Sequence, residues 1–424
     1  MNLTLIIFVL LALVVLRWPY LGIVITLASL PLTDILPPIS ESGSIISLLG
    51  GVTLAAFLVA SLARKARPDS WLRIPFILVP GLLFVLWLLT NFSAAVLPAP
   101  DGRVWIFTFI QLWVFAWMAA VLFDTRQKID ILMFVFVLAA LVSAVFASLQ
   151  GGMIGLDVNS SIRAIGLAEG ANSAARYFLI ALLFTFFFYA GQKNRILKIL
   201  LLCCMALLLY GVLLTVSRTG LLLLVGGLGL LILRNFRAQS AQNRTASVML
   251  VLLVLVVVWF FAEGIINIAR GILPSIVAGT DTVGVRYGLW QAGLRMWLDH
   301  PFFGVGIGMF NQNLPQYGWD LLQPRYLALG AHDIYIALLS ETGLVGFVLF
   351  GAMLFFALQS VLKAMRSKDE HISELAKNWL IIIILVLLAG ITKQDHYDKL
   401  TWIVIGISAS IHLINEREKV VQPG

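Results

Sequence analysis

Apolar runs of about 20 residues recur from one end of this chain to the other, and each is long enough to cross a hydrocarbon core of ~30 Å. Few folds tolerate that pattern. In lipid, every backbone N–H and C=O needs a partner within the protein, so spanning segments are helices or closed barrels. Barrel strands give short alternating segments, whereas these runs are solidly apolar. Composition points the same way, with 61% hydrophobic and 12% charged residues. An ordinary soluble domain is about half apolar and about a quarter charged. A cytosolic enzyme, a disordered scaffold and a secreted disulfide protein are excluded, and the chain reads as an all-α polytopic membrane protein.

Candidate spans fall at 2–16, 19–35, 44–63, 73–95, 103–123, 129–149, 173–191, 195–215, 218–234, 247–267, 332–362, 374–392 and 398–415. The first two are short and flank Arg17 and Pro19. They read either as two crossings or as a broken or re-entrant pair, giving thirteen spans or twelve. The N-terminal run has no basic start and no small-residue cleavage site, so a retained helix is expected. The resulting organisation is ten spans over 1–267, an outer cap over 268–331, C-terminal spans over 332–415 and a tail over 416–424.

Assigning alternate loops to two sides places 19 of the 29 Lys and Arg on one of them. Excess basic charge marks the cytoplasmic face, so the C-terminus is expected inside and the 268–331 cap outside. The formal charge of +8 is thus read as membrane topology, and no nucleic-acid partner is expected. The cap carries Trp290, Trp297, Phe302, Phe303, Phe310 and Trp319 among glycines and prolines, which suits amphipathic helices lying at a membrane surface. Cys203 and Cys204 are adjacent within an apolar run and read as packing residues rather than a disulfide or metal pair.

The outer side is poor in basic residues, so its arginines need a reason. Arg163, Arg176, Arg218, Arg286 and Arg295 lie at membrane ends or in the cap. Guanidinium offers a planar fork of donors that stays charged and matches phosphate; the plainer alternative is snorkelling to headgroups. Arg218 sits in Val216-Ser217-Arg218-Thr219-Gly220, between two long apolar runs. Ser217 is placed to cap the helix that follows, whose N-terminus adds N–H groups suited to an anion. Arg286 and Arg295 are nine residues apart, which on a helix sends them to opposite faces. The following Gly304-Val305-Gly306-Ile307-Gly308 lacks the strand–turn–helix context of a nucleotide loop, and a structural role is the better reading.

Among the five histidines, His332 opens a span at its outer end, where a neutral imidazole can take a proton from a hydroxyl. Asp333 points about 100° away on a helix and is a doubtful partner for the ring. Glu341 lies roughly 13 Å below the outer end if that helix is regular; an intramembrane carboxylate usually faces the bundle and pairs. No His/Cys/Asp/Glu spacing matches a metal site, and no phosphate-binding or dinucleotide motif appears.

Taken in order, five segments resemble the O-antigen ligase/polymerase superfamily of bacterial membrane glycosyltransferases. They are Arg163-Ala-Ile-Gly166 with Asn172, Ser217-Arg218-Thr219-Gly220, Arg286-Tyr-Gly-Leu-Trp290, Asp299-His300-Pro301 through Gly306, and His332-Asp-Ile-Tyr335 through Glu341, Gly343 and Gly346. The resemblance covers roughly 160–350. It implies a GT-C-like helical fold in the inner membrane with a periplasmic active site. It also implies transfer of a glycan from undecaprenyl diphosphate to an acceptor hydroxyl, with no metal, nucleotide or other cofactor.

By that resemblance Arg218 and Arg286 contact the diphosphate and His332 acts at the acceptor hydroxyl. Arg163 and Arg295 are further donor-binding candidates, with Ser217, Glu341 and Asn172 in support. One departure is visible: the family often has Asn where this chain has Asp333. The expected acceptor is a lipid A–core sugar, with inversion at the anomeric centre and membrane lipids as surroundings. A polymerase or a protein O-oligosaccharyltransferase would share the donor. A lipid-linked glycan transporter is the reading from a different class, but the repeat symmetry and matched broken helices it would need are not visible.

Overall fold

The computed structural model describes residues 3–35, 38–40, 43–63, 74–94, 100–154, 163–236, 282–393 and 395–421, with isolated positions between 248 and 259. The apolar runs form helices, as their composition requires. They are α1 (Leu3–Arg17), α2 (Tyr20–Ser29), α3 (Ile45–Ala63), α4 (Val79–Ala94), α5 (Pro100–Leu122), α6 (Arg126–Ile154) and α7 (Ala171–Gly191). These are followed by α8 (Arg195–Leu214), α9 (Arg218–Phe236), α10 (Thr282–Asp299), α11 (Phe310–Gly318), α12 (Ile334–Ala364), α13 (Glu370–Gly390) and α14 (Lys399–Val421). A small antiparallel hairpin pairs Pro38–Ser40 with Gly43–Ser44. Every expected span but one coincides with a helix. The exception, 247–267, lies outside the described residues apart from isolated positions. Among the described residues six helices are long and apolar enough to cross a membrane, and, that hairpin apart, the chain is a helical polytopic membrane protein.

The chain divides into two compact units that are not sequential. The first comprises Met1–Arg73, Val121–Ile268 and Ser367–Leu385. Its interior helix is α7, 78% buried over its apolar window, whereas α8 is only 33% buried. Small residues let the backbones approach closely: Gly211 of α8 faces the Phe178 ring of α7, and Gly22 of α2 faces Thr53 of α3. Aromatic rings fill the remaining space. Phe184 stacks on Trp379 at 6.0 Å, and Phe136 meets Phe184 edge-on at 5.9 Å. Cys203 is exposed and Cys204 half-buried on the poorly covered α8, and both are free thiols.

The second unit comprises Ile74–Ala120, Ala269–Arg366 and Val386–Gly424. One apolar cluster joins α4, α5, α12 and α14 around Phe84, Phe109, Phe350 and Trp402. Their rings meet edge to face at 5.5 to 6.2 Å, the geometry that ring quadrupoles favour. A separate cluster, built on Leu289, Met296, Phe310 and Leu314, holds α10 and α11 together. The positions buried along α10, Val285, Leu289, Ala292 and Met296, repeat at helical spacing.

One expectation is corrected. The 332–362 run was read as a continuous span, but α12 breaks at Gly343, whose φ is 66°. A helix end leaves its last carbonyls without intrahelical donors, and in lipid no water replaces them. Here each finds a partner. Ser340 O accepts from Val305 N–H at 2.8 Å, and Glu341 O from Gly306 N–H at 3.0 Å. Thr342 O accepts from the Trp87 indole at 3.0 Å. Beyond the break, Leu344 N–H donates to Pro301 O at 2.8 Å.

This seam is why residues 304 and 343 are glycine. A Cβ on Gly304 (φ 69°) would lie 2.4 Å from the Glu341 carbonyl carbon, and one on Gly343 would lie 2.1 Å from Phe302 O. Gly304→Ala and Gly343→Ala are each expected to destabilise by roughly 2–5 kcal/mol, from left-handed backbone strain plus overpacking. Gly351→Ala, where the space is open, should leave the melting temperature near wild type. Thermal unfolding of the purified protein in detergent measures all three.

Candidate functional site

In the first unit the Ser217-Arg218 segment forms a tight turn between α8 and α9. Val216 N–H bonds to Leu213 O at 3.0 Å as α8 ends. Ser217 is the N-cap of α9, its Oγ accepting from Gly220 N–H at 3.0 Å. The same hydroxyl donates to Asn172 Oδ1 at 2.8 Å, tying the turn to the first residues of α7. Gly220 has to be small, since a Cβ there would lie 2.5 Å from that of Ala175.

Arg163 braces this turn from a neighbouring loop. Its Nε donates to Thr215 O at 2.8 Å, and its Nη2 to Val216 O at 3.0 Å and Asn172 Oδ1 at 3.4 Å. The loop carrying it is fixed in turn. Gln150 accepts from Ile165 and Gly166 N–H and donates to Gly166 O, while Ser143 Oγ accepts from Leu167 N–H. Arg218 opens α9, half-buried. Burial, and then the charge of Arg218, hold the Arg163 guanidinium below its ordinary pKa. Two like charges are therefore held close, next to the positive end of a helix start. Such a place attracts an anion. Arg176 is buried one turn into α7, its guanidinium 5.3 Å from the Tyr177 ring centroid.

In the second unit His332 immediately precedes α12. Asp333 is the N-cap: its Oδ1 accepts from Tyr335 N–H at 2.7 Å and Ile336 N–H at 2.8 Å. The carboxylate thus caps the helix start, and neither Asp333 nor His332 lies on the helix that the 100° spacing assumed. Burial, and then the charge of Arg286, hold the His332 ring below its ordinary pKa, so it is neutral at pH 7. The two motif residues Arg286 and His332 therefore feel each other.

Backbone strain marks both places. The only non-glycine residues with positive φ among the described residues are Val216 (47°) and His332 (50°). A β-branched residue there is a genuine outlier, and such strain concentrates where function holds it.

The structure takes Arg295 elsewhere. It forms a bidentate pair with Asp320 at 2.7 and 3.0 Å and also donates to Tyr317 O at 3.1 Å, fastening α10 to the end of α11. The hydrogen bond to Asp320 raises the guanidinium pKa and lowers that of the carboxylate. The opposite-face spacing from Arg286 anticipated this separation; the partner 25 residues away had no signal in the sequence.

Glu341 is a buried structural junction. Its carboxylate accepts from Gly308 N–H at 3.0 Å and Phe310 N–H at 3.2 Å, at the start of α11. His396, itself buried, brings Nε2 to 4.0 Å from the same side chain and stacks on Phe109 at 5.7 Å. Burial pushes the His396 ring down to about 3, so it stays neutral. Sequence reading placed His396 in an outer loop and missed this contact, as it did the Thr215, Val216 and Gln150 contacts. The glycine loop is structural, as its sequence context suggested: a Cβ on Gly308 would enter the Trp105 ring. Among the described residues no group of three or more His, Cys, Asp or Glu is placed to hold a metal ion.

Two outcomes check this geometry. Glu341→Gln keeps one acceptor for two buried N–H groups and should cost about 1–3 kcal/mol, the penalty of one unsatisfied donor. Ser217→Ala removes both a helix cap and the Asn172 tie and should cost about 1–2 kcal/mol. Unfolding midpoints at wild-type level for either variant would show that these contacts do not hold the loops.

Residues 203–351 match the model of a family described as O-Antigen ligase. The matched stretch takes in Ser217, Arg218, Arg286, Arg295, His332 and Glu341, and leaves Arg163 and Asn172 before it. The match supports membership of the O-antigen ligase/polymerase superfamily. None of the curated proteins compared with the chain matches it.

Proposed function

We propose that this chain, with an O-antigen ligase/polymerase-type function, transfers a glycan from undecaprenyl diphosphate to a lipid A–core sugar hydroxyl. In this reading it works at the periplasmic face of the inner membrane, with its C-terminus cytoplasmic. The observation that carries the residue assignment is the coincidence of strain and motif. Val216, next to Ser217-Arg218, and His332, preceding Asp333, are the two strained non-glycine positions among the described residues. Both fall on segments already singled out for chemistry.

The roles follow from the local environments. The acceptor O–H attacks the anomeric carbon, and the bond from that carbon to the diphosphate oxygen breaks. The acceptor proton passes to the neutral His332 ring, a general base. Undecaprenyl diphosphate leaves with added negative charge on its terminal phosphate. By the motif resemblance, Arg218 of the first unit and Arg286 of the second are each assigned to that charge, since fixed guanidinium groups stabilise developing anions without reorganisation. Arg163 supports Arg218 by holding the turn and adding positive charge. Arg295, spent on Asp320, drops out of the donor set. Glu341 and Asn172 act as positioning residues. No metal enters this scheme, and single displacement inverts the anomeric centre.

The test uses purified protein with an undecaprenyl-diphosphate glycan and lipid A–core, EDTA present throughout, reading the mobility of the lipopolysaccharide. Wild type should give product, whereas His332→Ala and Arg218→Ala should each lose at least about 100-fold, the usual worth of a general base or an oxyanion contact. Long lipid-linked chains in place of modified lipid A–core would move the assignment to a polymerase. An intact donor under all conditions would sink the enzyme reading.

A pH profile examines His332 separately. Its pKa is held below the ordinary value of about 6.5, so the base stays unprotonated until the pH falls below that. The acid limb of kcat/KM should therefore lie below pH ~6.5. Removing the neighbouring positive charge in Arg286→Gln makes protonation easier and should move the limb to higher pH. An acid limb that does not move would remove His332 from the base role.

A further inference from the structure

Four tryptophans of the second unit donate their indole N–H to a backbone carbonyl: Trp87 to Thr342 at 3.0 Å, Trp113 to Leu78 at 3.0 Å, Trp297 to Pro301 at 3.2 Å and Trp402 to His396 at 2.6 Å. Trp290 does not. Its Nε1 is buried, and it is the one such indole nitrogen without an acceptor among the described residues. An indole nitrogen can only donate, and a buried donor left unmet is costly, so buried tryptophans ordinarily find a partner. The exception falls one helical turn after Arg286.

Its place in the fold gives that N–H a setting. Arg286, Trp290 and Gly293 follow the i, i+4, i+7 spacing of one helix face. That face is turned to α12, since a Cβ on Gly293 would lie 2.4 Å from Ile336 Cγ2. Eight residues further along each segment, Leu344 N–H bonds to Pro301 O. So α10 and the start of α12 run side by side in one direction, and the residues just before Gly293 lie level with those just before Ile336. Trp290 comes three residues before the first and His332 four before the second. The charge of Arg286 reaches the His332 ring, as that register requires. The half-buried indole takes no part in the apolar cluster that joins α10 to α11. An unmet N–H thus stands level with His332 and one turn from Arg286.

We infer that Trp290 binds the glycan donor, its indole N–H donating to an oxygen of the sugar carried on the diphosphate. The inference rests on the glycan-transfer reading, in which Arg286 is assigned to the diphosphate and His332 to the incoming hydroxyl. The transferred sugar belongs between those two groups, because its anomeric carbon is bonded to one and attacked by the other. Its ring and hydroxyl oxygens all accept hydrogen bonds. A phosphate oxygen of the same donor has the same acceptor chemistry. The sugar is favoured because a guanidinium already offers phosphate its donors, and because an indole adds an apolar face for the C–H groups of a sugar ring.

The experiment removes the N–H and keeps a ring, in Trp290→Phe and in full-length protein carrying benzothienylalanine at position 290, a bicyclic isostere of tryptophan without the N–H. Transfer from the undecaprenyl-diphosphate glycan should show KM for the donor raised roughly 3- to 10-fold, the worth of one neutral hydrogen bond. The kcat should change little, since the contact is already made in the ground state. Thermal unfolding reads binding without turnover. The glycan-bearing donor should raise the wild-type midpoint more than undecaprenyl diphosphate alone does, and that extra rise should shrink in both altered proteins. Without ligand, the isostere protein should unfold at the wild-type midpoint, because its N–H had no bond to lose. Trp113→Phe, which does lose one, should unfold earlier yet keep the extra rise. If Trp290→Phe does not fold, the isostere carries the comparison. An unchanged KM with the extra rise intact would overturn the inference. So would an equal loss with undecaprenyl diphosphate alone, which would assign the N–H to a phosphate oxygen. If wild type leaves the donor unconsumed, the transfer reading fails, and the thermal comparison alone decides whether Trp290 meets the sugar.

Discussion

A carbonyl deprived of its helical partner inside a membrane has no water to fall back on, and α12 exposes three in succession where it breaks at Gly343. Much of the second unit is arranged around meeting that demand. Val305, Gly306 and Trp87 supply the three donors, and Pro301 takes the N–H on the far side. Because the 301–306 strand of backbone has to lie flush against α12, Gly304 and Gly343 carry no side chain at the contact. Glu341 then extends the seam by capping α11.

The first unit meets a related problem differently. The end of α8 leaves the Thr215 and Val216 carbonyls, and a guanidinium takes both. Arg163 therefore has a structural duty that does not compete with its charge, since donating to neutral carbonyls leaves the positive field intact. The Val216 strain, of order 1–3 kcal/mol for such a conformation, is offset by the tie from Ser217 to Asn172 and by the cap on α9. Turn, cap and brace hold Arg218 in place whether or not an anion is present.

The sequence made the helices legible because apolar length is a local property. Ser217 as a cap and the glycine loop as scaffold were legible for the same reason, since caps and tight turns are chosen by adjacent residues. The break at Gly343 was hidden: a glycine in an apolar run reads the same whether the helix continues or stops, and the decision lies with Phe302 and Val305, some 40 residues earlier. The pairing of Arg295 with Asp320 is tertiary and had no signal in the sequence. His396 beside Glu341 had no pattern to betray it. Motif order carried the resemblance, while the contacts of Arg163 and Arg295 needed coordinates.

Chain direction gives the break at Gly343 an order of assembly. Trp87, Pro301, Val305, Gly306, Gly308 and Phe310 all precede Ser340 in the sequence. Every group that satisfies the interrupted helix has therefore been synthesised before that helix leaves the ribosome, and domains fold from the N-terminus during synthesis. Only His396 arrives later, and it joins Glu341 without supplying one of those bonds. The polar gap in α12 is thus never required to wait in lipid for a partner still to be made.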